Sequence, residues 1–409
     1  MKIKAFRALR PAEDKVEQVA SVPYDTINSD EARELAAGKP YSFLHVIRPE
    51  IDLPSGIDVH DDSVYAKAAE NFVKFQEAGA LIREDTPCIY LYRQKMGEHV
   101  QRGVVACCHV DSYDNNLILK HEKTRQDKED DRTLHVKTLQ ANAGPIFLTY
   151  RDSESIDEQI AAVEQQAPLY DIVSEDGVAH TVWKIADSDA LVSAFEAIPC
   201  TYIADGHHRS AAAARTAREM AAANPDHNGT EEYNWFLTVL FPATQLNILP
   251  YNRSVHDLNG LSETEFMDAV KSKFNVAETD QDTPLTACAV NMYIGGKWYA
   301  LTWEMPQSSD PVKALDVSYL QDNLLGPVLG IDDPRTSTRI DFIGGIRGTS
   351  ALTDAVDSGR GAVAFSMCPV SVDQMMDIAD ADRIMPPKST WFEPKLRSGL
   401  LVHTLGEDG

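Results

Sequence analysis

The chemically capable side chains crowd most densely in the run Asp205-Gly206-His207-His208-Arg209-Ser210. An apolar stretch, Tyr202-Ile203-Ala204, leads into it, and the alanine-rich Ala211–Ala214 follows. The pattern predicts a strand over 202–204, a turn, and a helix from Ser210 onward, with 206–209 at the mouth of a pocket. Glycine permits the tight turn, while a helix start presents unpaired N–H groups and the positive end of a dipole. An arginine in that first turn is opposed by the dipole, a placement that makes sense if an anion sits between the two. Asp205 is suited to orient a histidine or to hold Mg²⁺ between phosphate oxygens. A plain Asp-Gly turn is the alternative, but so much charge at a strand-to-helix turn favours a site.

A second segment, Leu119-Lys120-His121-Glu122-Lys123-Thr124-Arg125, runs into Asp127-Lys128-Glu129-Asp130-Asp131-Arg132. Charge runs are usually solvated helix faces. Here His121 and Glu122 directly follow an apolar stretch, where a carboxylate is placed to act as a general base. Adjacent residues do not share a helix face, so the two need not act together. Gly344-Gly345-Ile346-Arg347-Gly348 is a weaker phosphate-cradle candidate that reads more simply as a glycine-rich turn. Met385-Pro386-Pro387-Lys388-Ser389-Thr390-Trp391-Phe392-Glu393-Pro394-Lys395 reads as an ordered loop carrying Lys388 and Lys395, or as packing of Trp391 and Phe392 over the core. There is no Walker pattern, Gly-x-Ser-x-Gly elbow, His-Glu-x-x-His or zinc-spaced cysteine pair.

The elements that must position these residues alternate in type. Asn28 with Glu31 resembles a capping box opening a helix over 29–37. Tyr65, Ala68, Ala69, Phe72 and Phe75 share one face of a second helix that Gly79 ends. Strands are expected at 88–92 and 103–107 across a turn at 96–98, and at 145–150, 181–185, 200–204 and 235–240. A loop over 221–232, helices near 188–197, 262–272 and 315–325, and strands near 288–303 complete a mixed α/β or α+β pattern.

The chain of 409 residues carries 38 basic and 63 acidic side chains, a net charge of −25. Such a surface repels phosphate backbones, so nucleic acid is not an expected partner, although a few cations in one cleft can reverse the local potential. No apolar run approaches the roughly 18 residues of a membrane helix. The opening residues lack the apolar core and cleavage site of a signal peptide. Six sparse cysteines with no Cys-x-x-Cys fit free thiols. The expected location is the cytoplasm.

Five stretches, in order, resemble one bacterial and archaeal family: Ser21-Val22-Pro23-Tyr24-Asp25, Phe43-Leu44-His45-Val46, His121-Glu122-Lys123-Thr124, Asp205-Gly206-His207-His208-Arg209, and the motif from Met385 to Lys395. It is the family catalogued as domain of unknown function 1015, often labelled SpoOJ/ParA/ParB/RepB. The label implies the fold shared by ParB, sulfiredoxin and a free-serine kinase, in which a Gly-x-x-Arg turn at a helix start holds nucleotide phosphates. Gly206-His207-His208-Arg209 is similar to that turn. The resemblance thus implies a ParB/sulfiredoxin-like core with large insertions over 1–250 and a C-terminal α/β region over 251–409. It implies a nucleotide (ATP or ADP) with Mg²⁺, and phosphoryl transfer to a small hydroxyl-bearing metabolite, free serine being the specific choice. Asp205, Gly206, His207, Arg209 and Lys388 would hold the nucleotide; Glu122, His121 and His208 would serve catalysis. A regulatory nucleotide-binding module without turnover is the alternative.

Overall fold

Eight consecutive apolar or small residues, Trp235–Pro242, are buried along their whole length, which requires a strand covered on both faces. It is a central strand of a nine-stranded sheet in the computed structural model, which describes residues 1–406. From one edge the strands run Ile118–Leu119, Thr201–Asp205, Ile146–Tyr150, Trp235–Pro242, His99–His109, Ile89–Met96, Ala179–Ile185 and Tyr170–Val173; Ile3–Lys4 pairs separately with His99–His109. Thr201–Asp205 is parallel to Ile118–Leu119 and antiparallel to Ile146–Tyr150, so the sheet is mixed. The edge strand Tyr170–Val173 shows the alternate burial of a half-covered strand.

The sheet belongs to the first of two compact units, made of Met1–Leu246 and the residues from Pro394 on; Asn247–Glu393 form the second. In the first unit, the helices Glu154–Val163, Asp189–Glu196 and His207–Ala223 set Ile156, Ile160, Phe195, Ala213 and Ala217 into one core with Phe236 and Leu240. A separate core gathers Phe43, Val46, Phe72, Phe75 and Val402 around the helix Asp62–Glu77. The second unit is built on a six-stranded sheet, with Tyr251–Val255 between Val363–Met367 and Ile340–Gly344.

The mixed α/β class read from the sequence is the observed one. Asn28 and Glu31 close both bonds of the capping box on Ser29–Ala36. The hairpin turns at Gly97-Glu98, with Met96 opposite His99. Two expectations move. The helix expected from Ser210 starts at His207, because Gly206 alone makes the turn. It then continues through Ala223 into the stretch expected to be loop. Gly344 and Gly345 are packing glycines: a Cβ on Gly344 would stand 2.8 Å from the Trp391 ring, and one on Gly345 2.8 Å from Pro250. No helix among the described residues is long and apolar enough to cross a membrane.

Gly103 marks the tightest point of the first sheet, since an added Cβ would lie 2.5 Å from Val239 and 2.6 Å from Phe241. Gly103→Ala is therefore expected to destabilise by about 1–3 kcal/mol through overpacking, read as a lower urea midpoint with an unchanged denaturant slope.

Candidate functional site

The strand Thr201–Asp205 delivers its last side chain to a helix start whose N-cap is a glycine. Gly206 holds φ +103° there, a conformation costly for any residue with a Cβ, and it has no side chain to cap the first turn of His207–Ala223. Asp205 is met by two cations. Lys395 Nζ lies 3.0 Å from its Oδ2, and Arg209, one turn into the helix, places Nη2 3.5 Å from its Oδ1. Burial by itself would raise the Asp205 pKa; Lys395 and Arg209 outweigh it and hold the carboxyl well below the usual range. The anion expected beside the first-turn arginine is thus first of all Asp205. The Arg209 Nη1 also donates to the Pro145 carbonyl, while its buried Nε has no hydrogen-bond partner.

Arg209 lines a cavity of about 40 Å³ with Pro23, Tyr24, Arg132, Gly144 and Ser398. That is room for a water or a small group rather than a whole metabolite. The Arg132 guanidinium stacks 4.1 Å from the Tyr24 ring centroid and pairs with Asp131 at 2.7 Å. Burial pushes the Tyr24 hydroxyl up to about 12, against the pull of Arg132, so it stays protonated. Two stretches quoted for the family resemblance, around Tyr24 and around Arg209, therefore meet at one cavity. The charge run 127–132 is not only a solvated face: it lies in the helix Gln126–Leu139, which turns Asp131 inward.

The histidines are held differently from what the sequence suggested. His121 is 2 % exposed, and its ring packs edge-on against His207 at 4.5 Å between centroids. Burial brings the His121 pKa down to about 4 and that of His207 well below its usual value, so both are neutral at pH 7. The His121 backbone N–H faces the His207 Nε2 at 3.5 Å, which makes that nitrogen the acceptor. His208 is half-buried and accepts from the Arg125 backbone N–H at 3.2 Å. Glu122 is half-buried on the bend after Ile118–Leu119. Strand pairing, with Leu119 opposite Tyr202, brings the His121-Glu122 segment to the end of Thr201–Asp205.

Lys388 belongs to the second unit, where its ammonium stands 5.5 Å from the Tyr251 ring centroid. The lysine that meets Asp205 is Lys395, from the end of the same motif, where the chain has returned to the first unit. The sequence reading assigns Lys388 to the nucleotide; the signal for Lys395 is only its place in the same motif. Among the described residues, no group of three or more His, Cys, Asp or Glu is placed to hold a metal ion. Asp205 carries two cations already.

Residues 3–318 match the family model described as "Protein of unknown function (DUF1015)". No curated protein matches. Among solved structures, the chain is similar to a conserved hypothetical protein from Pyrococcus furiosus, with 13 % identity, TM-score 0.38, and coverage of 73 % of this chain and 94 % of that one. It is also similar to a free serine kinase in complex with AMP, at 11 % identity, TM-score 0.37, covering 73 % and 91 %. A third is SbnI with a C-terminal truncation from Staphylococcus aureus, at 11 % identity, TM-score 0.40, covering 75 % and 90 %. Likeness at this level carries neither the ParB-like label nor an activity to this chain.

Lys395→Met leaves Asp205 with Arg209 alone. The expected loss is about 1–3 kcal/mol at neutral pH, below the full cost of a stripped buried charge because one partner remains. A depressed carboxylate stabilises above the unfolded pKa of about 3.9 and stops doing so as pH falls through the folded one. The stability difference between wild type and variant should therefore be greatest near pH 7 and shrink below about pH 4, as read by denaturation at a series of pH values.

Proposed function

The chain belongs to the DUF1015 family of proteins of unknown function, and we propose that its first unit is a nucleotide-dependent phosphotransferase acting on a small hydroxyl-bearing metabolite. Free serine is the acceptor to try first, as the one the sequence resemblance implies. One observation carries the reading. At a helix start whose N-cap is a glycine, two cations, Lys395 and Arg209, meet the carboxylate of Asp205 in a chain whose net charge is −25. The two cations, the aligned N–H groups and the dipole all favour a phosphate there.

Phosphoryl transfer asks a protein chiefly for positioning and charge neutralisation. The backbone N–H groups of His207, His208 and Arg209 would receive phosphate oxygens, and Arg209 and Lys395 would offset their charge. The neutral, buried His121 and His207 act as packing behind the turn rather than as proton donors. Glu122 is the proposed base that takes the acceptor's hydroxyl proton. Mg²⁺, which prefers phosphate oxygens, waters and one or two carboxylates, would travel with the nucleotide.

The test is nucleotide binding and turnover by the purified chain with ATP or ADP, Mg²⁺ and serine. Arg209→Ala should weaken nucleotide binding at least about tenfold, the cost of one lost charged hydrogen bond. Glu122→Gln should leave binding intact and lower turnover by about 10²–10⁴-fold. Binding with no turnover on any hydroxyl acceptor would give the regulatory reading instead. Absence of nucleotide binding at millimolar concentration would overturn both.

A further inference from the structure

A second cavity of about 280 Å³ opens in the first unit, and the residues that wall it are sequence neighbours of those around Arg209. Ser21 and Ser398 form a backbone bridge, exchanging hydrogen bonds of 3.0 and 2.8 Å. On one strand of the bridge Ser398 lines the small cavity beside Arg209 and Arg397 lines the large one. On the other, Pro23 and Tyr24 line the small cavity, Ser21 and Val22 the large one.

Arg397 is the centre of the large cavity's chemistry. Its side chain is 5 % exposed and held by two partners, its backbone by a third. Nε donates to His180 Nε2 at 3.1 Å, Nη2 pairs with Asp176, and its own backbone N–H reaches the Tyr92 hydroxyl at 3.4 Å. The Tyr92 hydroxyl lies 2.7 Å from His180 Nδ1. Burial and the Arg397 charge bring His180 down to about 3, so it is neutral and serves as the acceptor. Nη1 makes no hydrogen bond to any described residue. A buried guanidinium fixed in orientation, with one arm unused, is a preformed partner for a carboxylate.

The remaining wall has the opposite sign. Glu17, Glu175 and Asp176 face two cations, Lys39 and Arg397, and Lys39 is paired with Glu175 at 2.6 Å. Gln18, also on the wall, carries a buried amide oxygen with no hydrogen-bond partner. A simple anion finds one arm of a guanidinium here and an acidic surround. A ligand carrying both charges satisfies both. We infer that this cavity binds a small zwitterionic α-amino acid, with its carboxylate on Arg397 and its ammonium toward Gln18 and the acidic wall. The volume, at the lower end of small-molecule pockets, suits a ligand of that size. That the bound amino acid is the phosphoryl acceptor rests on the function proposed above; that it binds does not.

Titration calorimetry on the full chain without nucleotide tests this with three probes. L-Serine keeps both charges, serinamide lacks the carboxylate, and glycerate replaces the ammonium by hydroxyl. L-Serine is expected to bind, and each analogue at least about tenfold more weakly, since each leaves a charged group unmatched. Gln18→Leu should weaken L-serine several-fold without lowering the thermal midpoint, which keeps the test open if variants of the buried Arg397 fail to fold. Serinamide binding as tightly as L-serine would remove Arg397 from the site. Equal binding of glycerate would remove the ammonium partner, and no binding at millimolar concentration would overturn the inference. L-Serine binding in a chain that ignores nucleotide would sink the phosphotransferase alone, and nucleotide binding in a chain that ignores all three probes would sink only the amino-acid site.

Discussion

One carboxylate between two cations, at the point where a strand becomes a helix, is the constraint on which the first unit is organised. Asp205 ends Thr201–Asp205, Arg209 follows within the next helical turn, and Lys395 arrives on the chain's return from the second unit. The returning segment is fastened along its length. Gln94 donates to the Lys395 carbonyl at 2.8 Å, Ser398 pairs with Ser21, and Val402 with Leu9. Removing Asp205 would leave both cations partly buried without their shared carboxylate, which costs more than the pairs themselves contribute. The ion cluster is thereby a reason for the tail to return, as well as a consequence of it.

The cluster also explains how an acidic protein offers a place for an anion. Long-range charge is screened within about 10 Å at ordinary ionic strength, so the potential near the helix start is set by Lys395, Arg209, Asp205, Asp25 and the dipole rather than by the total of −25. The neighbouring histidines add nothing to it, because His121 and His207 are neutral at pH 7. The positive side of the cluster therefore rests on Arg209 and Lys395.

Much of this architecture was legible in the residues. Continuous apolar runs such as Trp235–Leu240 announce buried central strands, and Asn28 with Glu31 announces a helix start, because both signals are local. The strand–glycine–helix reading of 202–215 was legible for the same reason, apart from a three-residue error in where the helix begins. What was not legible depends on the path of the chain. Lys388 and Lys395 sit in one motif and read alike, yet fall in different units. Tyr24 and Arg132 reach the same cavity from segments more than a hundred residues apart. The inward turn of Asp131 was hidden because its helix buries polar residues, Asp131, Thr133 and His135, where a sequence pattern would lead one to expect apolar ones. Arg397 follows the recognisable motif and looks like an ordinary surface arginine until His180 and Asp176 are placed around it.

The two arginines of the first unit are built on one plan. Each is nearly buried, each is paired with a carboxylate, Asp205 for Arg209 and Asp176 for Arg397, and each has a histidine close by that burial keeps neutral. Each also keeps a nitrogen without a partner among the described residues: Nε of Arg209, and Nη1 of Arg397. For the buried Nε of Arg209 an unmatched donor costs about 1–3 kcal/mol, so stability alone would select a further acceptor there. A histidine that charged would repel the guanidinium, and burial removes that possibility at neutral pH. Both arrangements hold a positive charge in fixed orientation and keep one nitrogen without a partner among the described residues, which leaves a donor for an anionic group to use.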